Sequence, residues 1–266
     1  MIVDDLRAVR IVWHRDLIRF WRDKPRMFAS ALQPMLYLFV FGTGMGAAMK
    51  AALPVDLRIF LYPGVMAMAT LFTCFFSAGS LVWDREFGFM REMMVAPVRR
   101  GAIIVGKSLG GATTGMFQAI TVLIVGAFVG VPFSPLLVLT LLAELAVLSF
   151  AITSIGVLVA VRIKSFQAFM ALVQIIIMPM FFLSGALFPL RDLPGWLELA
   201  TRLDPLTYAV DPLRRAVLEA GGASGSDLAG VAWNGWTVPT IVELGIVFGV
   251  GVLALIVATR AFSRVE

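Results

Sequence analysis

The chain of 266 residues is 60% hydrophobic and 15% charged, with a mean hydropathy of +0.92, whereas a soluble domain carries roughly a quarter charged residues. That excludes a soluble globular fold and makes lipid the solvent for most of the chain. The net charge of +5 suggests a basic patch for nucleic acid only if the chain is soluble; on a membrane topology it needs no nucleic-acid partner.

From the N-terminus, Val3 to Arg22 predict an amphipathic helix. Leu6, Val9, Trp13, Leu17 and Phe20 recur at spacings of three and four, with Arg7, Arg15, Arg19 and Arg22 on other faces. Such a helix can rest in the headgroup layer against membrane lipid; His14 reads as a surface residue on it. Lys24-Pro25 breaks it. A cleavable signal peptide is not expected, because seven Lys or Arg precede the first apolar run.

Six apolar runs follow: Phe28 to Ala48, Phe60 to Trp83, Ile103 to Val129, Leu136 to Val161, Ala168 to Phe188 and Pro239 to Thr259. Each has about the 20 residues a membrane-crossing helix needs, since unpaired backbone groups cannot remain in hydrocarbon. The runs do not alternate with the period of barrel strands. The expected fold is therefore an all-α integral membrane protein with six transmembrane helices. Residues 1–266 read as one membrane domain: 1–26 the amphipathic helix, 28–188 spans 1 to 5, 189–238 an intervening segment and 239–259 span 6. With both termini inside, 16 of the 22 Lys and Arg fall on the cytoplasmic side, the orientation basic residues favour.

Between the second and third runs lies Trp83 to Arg100, WDREFGFMREMMVAPVRR. A cytoplasmic helix is expected from about Arg85 to Ala96, ended by Pro97. Phe87, Met90 and Met94 would form one apolar face, as in helices that dock into a partner's groove. Immediately after it, Gly101 to Ser108 fits the phosphate-loop formula GxxxxGK[ST]. The formula requires a preceding strand, a following helix and an acidic residue for magnesium, none of which is expected here, so Lys107 is read as marking the inner end of span 3. Gly106, Gly110, Gly111 and Gly115 form two overlapping small-xxx-small patterns, a packing face whose neighbour could belong to this chain or to a second copy.

Lone Cys74 excludes an intrachain disulfide or thiolate metal site, and no catalytic constellation or metal-ligand cluster is evident. Glu144 lies within span 4, where an ionisable group is a functional candidate; Glu243 is close to the end of span 6. From 189 to 238, with Pro189, Pro194, Pro205 and Pro212, two short half-polar helices are expected. One carries Leu193, Trp196, Leu197, Ala200 and Leu203; the other carries Leu206, Val210, Leu213 and Val217. Too short to span, they would dip back into the outer leaflet. Gly221 to Asp227 reads as a linker.

Three motifs carry a resemblance. LYPGVMAMATLF (61 to 72), REFGFMREMMVAPVRRGAIIVGK (85 to 107) and FLSGALFPLRDLPGWLELATRLDPLTYAVDPLR (182 to 214) resemble permease subunits of ABC transporters of the ABC-2 type, in their drug-resistance, daunorubicin-type exporter branch. One departure is Asp204-Pro205, where relatives often have Asn-Pro. The resemblance implies an N-terminal interfacial helix, a coupling helix between spans 2 and 3, and outer re-entrant helices between spans 5 and 6. It implies a non-enzymatic subunit in a bacterial or archaeal plasma membrane, with both termini cytoplasmic. Two such chains, identical or homologous, would sit on two separately encoded nucleotide-binding subunits that hold ATP and Mg²⁺, and this chain would hold no cofactor. Glu86, Phe87, Met90, Arg91, Glu92 and Met94 would couple to the ATPase.

A pathway in spans 2 and 5 is suggested by Phe72, Phe75, Phe76, Gln174, Phe181, Phe182 and Ser184. It suits an amphipathic or hydrophobic cargo such as a drug or lipid, and a lipid-linked glycan is the alternative. A proton-coupled secondary transporter using Glu144 and a non-transporting scaffold are the competing classes.

Overall fold

The computed structural model describes residues 2–49, 56–90, 93, 98–190, 193–222, 230–233 and 236–265. In chain order its elements are α1 (Ile2–Arg22), α2 (Lys24–Leu36), a π-helical turn Tyr37–Phe41, α3 (Gly42–Met49) and α4 (Leu57–Glu86). There follow α5 (Arg100–Val129), α6 (Pro135–Arg162), α7 (Phe166–Leu183), α8 (Gly195–Leu203) and α9 (Thr207–Ala220). The antiparallel pair β1 (Ala232–Trp233) and β2 (Trp236–Thr237) precedes α10 (Thr240–Val265).

Helices begin where a side chain can accept the free amides of a first turn. Asp56 accepts from Arg58 N at 2.9 Å, Ser134 from Leu137 N at 3.1 Å and Ser165 from Ala168 N at 3.2 Å. These caps open α4, α6 and α7. Gly130, at φ 89°, closes α5 in the left-handed conformation that suits glycine. Pro34 lacks the amide an α-helix needs, and the chain widens into the π turn three residues later.

Six helices are long and apolar enough to cross a membrane: Met27–Gly46, Leu57–Glu86, Arg100–Val129, Pro135–Arg162, Phe166–Leu183 and Thr240–Arg264. They are numbered here as spans 1 to 6 and coincide with the six apolar runs. Three boundaries differ, span 6 running on to Arg264. Span 2 continues through Glu86, past the last apolar residue, and span 5 stops at Leu183, where the chain turns through Gly185 at φ 71°.

Span 2 is the axis of the bundle. Of its apolar window 78% is buried, against 18% for span 1 and 22% for span 5. Spans 3 and 4 pack against it and each other, and span 6 packs on spans 3 and 4.

The glycine face of span 3 has its partners within this chain. A Cβ at Gly111 would lie 2.4 Å from Thr153 Cγ2 of span 4, and one at Gly115 2.4 Å from Cys74 Sγ of span 2. Gly106 and Gly110 face α1, with hypothetical contacts of 2.9 Å to Val12 Cβ and 3.0 Å to Asp16 Cβ. Thus α1 is seated on span 3 through a seam of Val12 and Asp16, while Leu6, Ile11 and Ile18 stay exposed. Trp13 Nε1 donates to Thr113 Oγ1 at 3.0 Å along the same seam.

Both termini meet at one end of the bundle, hereafter the near end. Arg99 N donates to Asp5 at 3.0 Å and Arg100 donates to Ser263 O at 3.3 Å. At the far end the two short helices, 9 and 14 residues long, connect spans 5 and 6. α9 packs against spans 2, 4 and 6.

Candidate functional site

The near end of span 2 departs from the amphipathic helix expected over 85–96. Arg85 and Glu86 are the last residues of the span itself, Phe87 is its C-cap, and Gly88 takes φ 87°. A left-handed residue breaks the helix, so Phe87 and Met90 do not share one continuous helical face. Phe87 is 56% exposed and its ring lies 4.3 Å from that of Trp83, while Met90 is buried at 1%. Arg91, Glu92 and Met94 lie outside the described residues.

The last turn of span 2 also clamps the loop between spans 4 and 5. Arg85 Nη1 donates to Val161 O at 3.1 Å and Ile163 O at 3.0 Å, satisfying carbonyls that the end of span 4 leaves open. Glu86 accepts from Phe166 N at 2.7 Å, placing a carboxylate at the positive N-terminus of span 5. Two adjacent residues of opposite charge thereby tie one span end to two others.

Behind this clamp is a buried ionic cluster that the sequence reading did not assemble. Lys107, only 2% exposed, donates to Asp16 at 3.0 Å and Ser80 Oγ at 2.9 Å and pairs with Asp84 at 2.7 Å. Arg15 also bonds Asp84, and Arg19 approaches it at 3.8 Å. Lys107 therefore sits inside span 3, held by carboxylates of α1 and span 2, rather than at a surface boundary. Gly101 to Ser108 are helical throughout. The available signal was a lysine two turns inside an apolar helix, which demands a buried acid.

Beside the cluster opens a cavity of about 550 Å³ between α1, α2, span 2 and the start of span 5. Phe20, Phe72, Phe76, Trp83 and Phe166 supply apolar walls, and Asp16, Asp23, Gln33 and Ser77 supply polar groups. Phe72 and Phe76, four residues apart, share that wall with centroids 6.4 Å apart.

The other pathway residues lie elsewhere. Phe75 is fully buried beside Gly156, and Phe181 is buried. Ser184 donates to Phe181 O at 2.8 Å, while Gln174 and Phe182 are on the exposed face of span 5. Only Phe72 and Phe76 of the seven line the cavity.

At the far end, burial raises the Asp204 carboxyl to about 7, although it accepts from Leu206 N at 3.0 Å. Arg214 is fully buried over Phe60, 4.2 Å from the ring centroid, and burial lowers its guanidinium to about 10. Glu144 is buried within span 4.

The comparisons agree with this architecture. The ABC-2 type transporter family matches residues 7–218. A putative transport permease ycf38 of Cyanophora paradoxa is 30% identical over 215 residues, covering 79% of this chain and 73% of the relative. Nodulation protein J of Rhizobium leguminosarum bv. trifolii is 29% identical over 216 residues, covering 78% and 80%. The inner membrane transport permease YadH of Escherichia coli (strain K12) is 26% identical over 217 residues, covering 79% and 83%. Six apolar helices, span 2 the most enclosed of them, and a family match that runs from α1 to α9 make this chain a multi-pass membrane protein of the ABC-2 type transporter family.

Proposed function

We propose that this chain is the membrane subunit of an ATP-driven exporter, working as one of two permease copies or homologues on two separately encoded nucleotide-binding subunits. ATP and Mg²⁺ belong to those subunits, and this chain does no bond chemistry. The near end faces the cytoplasm in this reading, in keeping with the excess of basic residues there. The observation that carries the proposal is the clamp at the end of span 2. A displacement applied to the exposed Phe87 reaches span 4 through Arg85 and span 5 through Glu86.

Nucleotide binding then biases an equilibrium between two arrangements of the spans, because the partner contacts them differently in each. The coupling surface is Glu86 and Phe87 together with Arg91, Glu92 and Met94; Met90 anchors it from inside. The cargo is an amphipathic or apolar molecule, for which the aromatic and polar walls beside Phe72 and Phe76 offer matching surfaces. Gln174 and Phe182 would meet it on the exposed face of span 5, and Phe75, Phe181 and Ser184 support the wall from within.

Phe87→Asp is the cleaner test, because Met90→Asp would also place a charge in the core. In vesicles containing this chain and the nucleotide-binding subunit that co-purifies with it, Phe87→Asp should abolish cargo-stimulated ATP hydrolysis while membrane insertion and unfolding temperature stay at wild-type values. Coupling that survives this change would remove Phe87 from the interface and overturn the proposed route.

A further inference from the structure

Far from the coupling surface, α9 is held to spans 4 and 6 by charged groups that do not balance. Asp211 of α9 is 1% exposed, Glu243 of span 6 is 0% exposed and Glu144 of span 4 is 3% exposed. Arg215 bonds Asp211, reaches Glu243 Oε1 at 3.4 Å and donates to Val238 O at 2.9 Å. Arg214 donates to Gly185 O at 2.6 Å and Ala186 O at 3.1 Å, and adds positive charge beside Asp211. Of the remaining facing groups, Glu219 of α9 is exposed, and the Tyr208 hydroxyl donates to Arg202 O at 2.8 Å. Span 2 contributes the Phe60 ring, with Asp56 and Arg58 exposed at its start. Among the described residues of the strand segment, the Val231 amide donates to Asp211 at 3.0 Å.

Among the described residues, three enclosed carboxyls thus face two guanidiniums, an excess of one negative charge where charge is costly to leave uncompensated. One oxygen on each carboxyl, Asp211 Oδ1, Glu243 Oε2 and Glu144 Oε2, is buried without a hydrogen-bond partner. Arg215 Nη2 bonds an oxygen of Asp211 and lies 3.4 Å from one of Glu243, so the two carboxyls sit side by side around one nitrogen. Two neighbouring carboxylates cannot hydrogen-bond one another; a carboxylic acid and a carboxylate can.

We infer that Asp211, Glu243 and Glu144 form a proton-binding site in which one proton, held between Glu243 and Asp211, seats α9 on spans 4 and 6. Bound, the proton balances the charge count and replaces a repulsion with a hydrogen bond. Released, it leaves α9 and span 6 facing each other with like charges. Glu144 adds to the negative potential that retains the proton and takes no part in the shared bond. The site concerns this chain alone and stands or falls separately from the exporter reading.

Infrared spectroscopy of the purified full chain across a pH series reads the proton directly, because a protonated carboxyl absorbs apart from a carboxylate. Measurements in an Asp204→Asn background remove the carboxyl that burial raises outside the site. At neutral pH a protonated-carboxyl band is expected, absent in Glu243→Gln and in Asp211→Asn. Each variant restores the charge balance with no proton, so either serves if the other does not fold. Glu144→Gln should keep the band and lose it at a lower pH than the parent. Heating should unmask the Cys74 thiol at falling temperatures as pH rises from neutral to alkaline in the parent, and less steeply in Glu243→Gln. A neutral-pH spectrum with no band dependent on Glu243 or Asp211, or identical pH dependence of unfolding in parent and variant, would overturn the inference.

Discussion

Replacing Lys107 with Met removes the ammonium that two buried carboxylates share. At an effective dielectric near 20, contacts of 2.7 and 3.0 Å correspond to about 5 to 6 kcal/mol of gross attraction each, most of it offset by desolvation. The relevant magnitude is therefore the cost of leaving buried charges without their partner, about 3–5 kcal/mol. The two acids do not suffer equally. Asp84 keeps Arg15 and Arg19, whereas Asp16 keeps only Arg15 at 3.8 Å and already has Oδ2 without a hydrogen bond. Cys74, fully buried in span 2, provides the assay, because a thiol-reactive fluorophore reaches it only when the bundle opens. Lys107→Met should lower the temperature of thiol unmasking by on the order of 10 °C. Adding Asp16→Asn should recover more of that loss than adding Asp84→Asn. Unmasking at the wild-type temperature, or the reverse order of rescue, would refute the assignment of Lys107 as the centre of the cluster.

The same thiol assay tests three further expectations. The Asp204 carboxyl is raised from 3.8 to about 7, so the folded chain binds its proton more tightly than the unfolded chain. Its effect is a penalty that is absent below about pH 4, grows as pH rises and is complete above about pH 7; Asp204→Asn should flatten that slope. Gly115→Ala places a methyl 2.4 Å from Cys74 Sγ and should cost roughly 1–3 kcal/mol, whereas Gly249→Ala meets nothing within 4 Å and should be neutral or mildly stabilising. Arg85→Ala removes the donor to Val161 O and Ile163 O and should cost about 1–3 kcal/mol, with Arg85→Lys recovering part of it.

The spans were legible because each run of apolar residues is long enough to be its own evidence. The inner end of span 2 was placed too early for a physical reason: Asp84, Arg85 and Glu86 follow the last apolar residue and read as the opening of a separate cytoplasmic helix until their partners are known. Those partners, Lys107, Val161 O, Ile163 O and Phe166 N, lie on other helices, and no local periodicity reports them. Aromatic content alone likewise did not separate Phe72 and Phe76, which share a helical face, from Phe75, which turns into the core. The glycine pattern announced close packing, but only tertiary structure assigned Gly106 and Gly110 to α1 and Gly111 and Gly115 to spans 4 and 2.

Ionic groups inside an apolar bundle are costly, so their placement identifies contacts whose register matters. Here they occupy the two ends of one element. Span 2 brings Asp84 to the near-end cluster and, 24 residues earlier, sets Phe60 beneath Arg214 at the far end. A continuous helix of 30 residues is about 45 Å long and resists axial compression, so a shift at Glu86 is felt at Phe60. Spans 1 and 5, little covered within this chain, have little comparable anchoring, whereas span 2 is enclosed along most of its length. The enclosed helix is therefore the element through which the two ends can be mechanically joined, and Arg85 and Glu86 decide which other spans move with it.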